Sequence, residues 1–107
     1  MDAAREARVY TLLVEVGRAP GDGLPEGATG AALLCYAPAR DEAEAVRETV
    51  ALLRRAGLAP LEVEGLGTPE ERAAAGQPVA GEERPLMARA AAENAVVVAQ
   101  VTSFPGS

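Results

Sequence analysis

The chain has 107 residues, sixteen acidic against ten basic, for a net charge of −6, and its 49% hydrophobic and 24% charged content is that of an ordinary folded domain. It contains no histidine, lysine or tryptophan and a single cysteine, which removes the side chains on which most acid–base, covalent and zinc chemistry near neutral pH depends. The acidic balance, with only three aromatic residues (Tyr10, Tyr36, Phe104), also argues against nucleic acid, whose phosphates it would repel and whose bases it could scarcely stack.

This length suits one domain over residues 1–107, with 1–7 and 103–107 expected to fray, and can bury a core without disulfide or metal. Residues 1–6 mix acids with small residues, and the longest wholly apolar strand-like run, 95–99, is far below the ~20 residues of a bilayer span. A soluble cytoplasmic protein with no membrane partner is therefore expected. All ten basic residues are arginine, alanine is abundant and isoleucine is absent, which reads as the coding bias of a GC-rich bacterial genome.

The first predicted element is a strand over 9–16 (VYTLLVEV), ended by Gly17, with both faces largely apolar. Residues 17–30 hold five glycines and two prolines and form a loop, making a wide hairpin with a second strand over 31–37 that Pro38 closes. A helix follows from Asp41, which caps it while Glu44 reaches back as in a capping box. Ala43, Val46, Val50 and Leu53 form its buried stripe, Arg54 and Arg55 complement its dipole, and Gly57 ends it. Leu61-Glu62-Val63-Glu64 alternates as a strand with one wet face. Thr68-Pro69-Glu70-Glu71 opens a short helix to about residue 75. A minor extended piece is expected near Val79, then a helix from 82 or 85 to 93 with Leu86 and Ala90 inward and Asn94 ending it, then a strand over 95–102.

This order predicts an α+β two-layer sandwich: one four- or five-stranded mixed or antiparallel sheet with two main helices on one face. From the second strand onward the element order resembles a ferredoxin-like unit, on the condition that a strand forms near Val79. Strands that are apolar on both faces (Leu12 and Leu13; Leu33 and Leu34; Val96, Val97 and Val98) need a second cover. A homodimer, joined sheet on sheet or edge to edge, is the expected source; the alternative is that loop 17–30 and the tail fold over.

Chemically informative positions are few. Cys35 is expected to be a buried hydrophobe, since no histidine or lysine could activate it. The 17–30 glycines precede a strand and lack a G-K-S/T continuation, so they are not a phosphate loop; Arg18, Asp22, Leu24 and Glu26 are instead candidate contacts in an interaction loop. Glu62 and Glu64 share a strand face, and with Glu70, Glu71, Glu82 and Glu83 they form a candidate acidic patch. No catalytic, cofactor or metal residues are expected. The function expected is a non-catalytic domain of self-association or regulation. The alternatives are an acidic inhibitor or immunity-type partner of a basic protein, or a small-molecule binding protein or minor enzyme using arginine and carboxylates.

Overall fold

The computed structural model describes residues 7–106. Strand β1 (Arg8–Val16) and strand β2 (Gly30–Ala39) form the expected wide hairpin, followed by helix α1 (Glu42–Arg55) and strand β3 (Pro60–Gly67). Helix α2 (Pro69–Ala74), a 3₁₀ turn (Gly81–Glu83), helix α3 (Arg84–Glu93) and strand β4 (Val97–Phe104) complete the chain. All four strands lie in one antiparallel sheet in the order β3-β1-β2-β4.

The local signals that start and stop these elements are physical. Asp41 accepts the Glu44 amide at 2.8 Å and caps α1, whereas the Glu44 carboxylate reaches one residue further back than a capping box, to the Arg40 amide at 2.7 Å. Gly57, at φ +88°, makes the left-handed exit. In α2 the capping box is complete: the Thr68 hydroxyl accepts the Glu71 amide, and the Glu71 carboxylate accepts the Thr68 amide at 2.8 Å. Asn94, at φ 49°, ends α3.

Several expectations need correction. Pro38 does not close β2, which runs on to Ala39 opposite Arg8; pairing with β4 stops at Tyr36, so a residue without an N–H leaves no β4 partner unsatisfied there. The tail is ordered as far as the strand: Ser103 and Phe104 pair with Ala31 and Gly30, and the Phe104 carbonyl accepts the Thr29 amide at 3.0 Å. Residues 1–6 and 107 lie outside the described residues. The ferredoxin-like reading also fails at its condition, because Val79 lies in a loop; β2 and β3 run parallel through α1, and the N-terminal β1 fills the slot between them.

The expected two layers are three. Register puts Tyr10, Leu12, Val14 and Val16 of β1 on one face with Leu33, Cys35 and Ala37 of β2, and α1 seals this face with Ala45 and Leu53. The opposite face carries Val9, Leu34 and Tyr36, and here α3 packs with Met87 and Ala90. The two main helices therefore lie on opposite faces. A sheet apolar on both sides gains from covering both, and the long 68–96 segment is free to cross to the far side because no strand at Val79 holds it back.

Candidate functional site

The polar centre of the molecule is a four-residue network on the α3 face. Thr11 and Tyr36 are paired neighbours on β1 and β2, almost wholly buried at 0% and 1% exposure. α2 sets Arg72 above them, and the 3₁₀ turn brings in Glu83. Arg72 makes a two-pronged pair with Glu83, Nη1 to Oε1 at 2.8 Å and Nη2 to Oε2 at 3.0 Å, while Nη1 also donates to Thr11 Oγ1 at 3.1 Å and Nε to the Gln77 carbonyl at 3.2 Å. The Tyr36 hydroxyl donates to Glu83 Oε1 at 2.6 Å, and the Ala80 amide donates to Glu83 Oε2 at 3.0 Å.

Arg72 above all, then the Tyr36 hydroxyl and the Ala80 amide, hold the Glu83 carboxyl down to about 2 against the opposing effect of burial. Burial first, then the adjacent Glu83, drives the Tyr36 phenol well above its ordinary range. A carboxylate fixed as the anion and a phenol fixed as the acid exchange no proton near neutral pH, where a general acid or base must titrate. Their chemistry is anchorage: the network pins α2, the 3₁₀ turn and α3 to the sheet. A cleft of about 450 Å³ borders it, with Leu34, Leu66, Leu86 and Ala99 among its apolar walls.

The candidate loop is braced from within. Arg18 donates to both Asp22 oxygens, at 2.9 and 3.2 Å, and to the Pro25 and Ala28 carbonyls. Asp22 also accepts the Ala19 and Leu24 amides, and these bonds, Arg18's foremost, put its carboxyl well below the usual carboxylate range. Leu24 packs against the α1-side core, and Glu26 is exposed. Cys35 is buried, and burial pushes its thiol up to about 11, opposite to what a nucleophile needs.

The acidic residues separate into distinct places. Glu71 is occupied in the α2 cap and Glu83 in the network, while Glu70 on α2 and Glu82 in the 3₁₀ turn are exposed. Glu62 and Glu64 do share a face of β3, and register adds Glu15, directly across from Glu62, with Leu13 across from Glu64. With Ala32 and Phe104 they line a shallow hollow of about 150 Å³ on the half of the α3 face that α3 leaves open. The sequence signal for Glu15 was faint, a single acid in an apolar strand. Arg72 gave none, and Glu83 stood only in the acidic patch, since only the fold brings α2 and the 3₁₀ turn over Tyr36.

The two sheet edges also differ. β3 carries Pro60, Glu62 and Glu64, with register irregularities against β1 at two places. β4 has no charged residue, and α1 reaches β1, β2 and β3 but not β4. Val98 and Val101 are consequently 38% and 52% exposed on the α1 side.

Fold and site together define a small α+β domain with a four-stranded antiparallel sheet and three α-helices, built around a buried ionic anchor and a partly open sheet. Among the described residues no three histidine, cysteine or acidic side chains group to hold a metal, and no helix is long and apolar enough to cross a membrane. The chain belongs to the family described as Domain of unknown function (DUF8846), whose model matches residues 9–105. No curated protein and no solved structure matches it.

Proposed function

We propose that this domain is a non-catalytic association module and that a second copy of the chain joins it along β4, extending the sheet to eight strands about a two-fold axis. The observation that carries this reading is the uncharged edge at β4, with Val98 and Val101 exposed on it. Natural sheets guard their edges with charge, proline or bulges; β4 has a single irregularity, near Ala99, and an unbroken paired run from Gln100 to Phe104.

Charge selects this geometry over the sheet-on-sheet alternative. Each copy carries −6, and stacking the open faces about a two-fold would set Glu15, Glu62 and Glu64 against themselves. Joining at β4 leaves the two β3 strands seven strand spacings apart, roughly 34 Å at about 4.8 Å each. That is several times the Debye length of about 8 Å at physiological salt. The cover once required of a partner on the second face comes in part from α2 and α3, so the case for self-association rests on the edge. The same reading puts the module in the cytoplasm of a bacterium, in keeping with its arginine-only basic residues and its one buried thiol.

Light scattering across a concentration series tests this. The wild-type chain should approach twice the protomer mass, and Val101→Lys, at an exposed position, should weaken association at least tenfold, or about 1.4 kcal/mol, with the melting temperature little changed. A wild-type chain that stays monomeric at millimolar concentration overturns the reading.

A further inference from the structure

The open half of the α3-side sheet face lies mainly on β1, β2 and β3 and touches β4 only at Phe104. α2 and α3 cover the Thr11–Tyr36 end of that face, leaving Leu13, Ala32 and Leu34 only half-buried at its centre. Phe104 borders the same apolar floor, and Glu15, Glu62 and Glu64 stand exposed along the β1–β3 side. Among the described residues the arginine ion pairs go elsewhere: Arg18 to Asp22, Arg40 to Glu44, Arg72 to Glu83 and Arg89 to Glu93. None of these four pairs includes Glu15, Glu62 or Glu64.

From this arrangement we infer that the open sheet face docks a basic amphipathic segment of a partner protein, its apolar side chains on Leu13, Ala32 and Phe104 and its arginines or lysines against Glu15, Glu62 and Glu64. Directly opposed like charges on adjacent strands destabilise a sheet, and Glu15 and Glu62 are opposed in this way beside an apolar floor that water covers poorly. A cationic partner relieves both defects at once. A second copy of this chain stacked open face on open face would not do so, because it would bring three further carboxylates to the same place. Charge complementarity of this kind sets partner choice and salt dependence more than raw affinity. The inference goes beyond self-association, which leaves this face free.

The probe is a short labelled peptide alternating arginine with leucine, followed by fluorescence anisotropy on the whole chain at low and physiological salt. Three comparisons decide it. The triple variant Glu15→Gln, Glu62→Gln, Glu64→Gln should lose at least tenfold in affinity. The variant Glu26→Gln, Glu48→Gln, Glu70→Gln, with the same change in net charge at exposed sites elsewhere, should lose less than twofold. A peptide with serine in place of leucine should bind several-fold more weakly. Amides at Glu15 and Glu62 remove a repulsion, so the first variant should melt no lower than the wild type, which excludes misfolding as the cause. No binding by the wild type, equal losses in the two triples, or equal affinity for the leucine and serine peptides overturns the inference.

Discussion

The two edges of this sheet sit three strands apart and treat an incoming strand in opposite ways. β3 meets it with proline, two carboxylates and a twice-interrupted register, and α2 stands directly behind it; β4 presents eight uncharged residues with α1 held off to one side. Both edges leave backbone groups unpaired, so the contrast lies in side chains and in the more irregular register of β3. An acidic chain thereby keeps one neutral edge at which a like-charged molecule can approach, while its charge closes the other.

The largest expected effect comes from loosening the β3 side at its anchor. Arg72→Ala strands the mostly buried Glu83 without its cation, at side-chain exposures of 11% and 14% for the pair, and should cost about 3 kcal/mol in urea unfolding. Hydrogen exchange should rise first in α2 and the 3₁₀ turn, ahead of the β2–β4 pairing. Equal loosening everywhere would show that the anchor serves the whole domain and gives the β3 side no protection of its own.

Acid tests the same anchor. The Glu83 carboxyl lies at about 2 in the folded chain against an ordinary 4.5, so its contribution is complete above about pH 4.5 and disappears as the pH falls towards 2. Over that window the wild type should lose about 2 kcal/mol that Glu83→Gln does not lose. Coincident acid limbs for the two proteins would remove the anchor from the account.

Erasing the difference between the edges is the more direct experiment. Glu62→Val with Glu64→Val takes the charges from β3 and should strengthen self-association about tenfold, roughly 1.4 kcal/mol, with species larger than a dimer in sedimentation velocity. An unchanged distribution would mean that the irregular β3 backbone alone keeps strands away. The smallest effect is Glu62→Lys, which turns the repulsion with Glu15 into attraction. It should add about 0.5 kcal/mol to stability, an increment that fades as salt is raised.

The elements were legible wherever the determinant is local. Asp41, Gly57, the Thr68–Glu71 cap and Asn94 act within a few residues of themselves, and each does in the fold what its position in the sequence implies. The doubly apolar strands were legible too, but the identity of their cover was not. α3, a short helix rich in alanine, carries no mark of which face it will take; that follows from the absence of a strand at Val79 and from Arg72 and Glu83 meeting over Tyr36, contacts set by tertiary structure. The acidic patch was half legible for the same reason. Alternation paired Glu62 with Glu64, whereas Glu15 joins them through strand register, and Glu71 and Glu83 leave the patch for hydrogen bonds that spacing alone does not reveal.

The position of β1 has a consequence for how the chain is made. Of the four strands the two central ones come first in the sequence, so the hairpin at the heart of the sheet can pair without β3 or β4, and each later strand joins from outside. β4 arrives last. Until then β2 keeps one flank of unpaired backbone groups, the liability that β4 takes over when it docks.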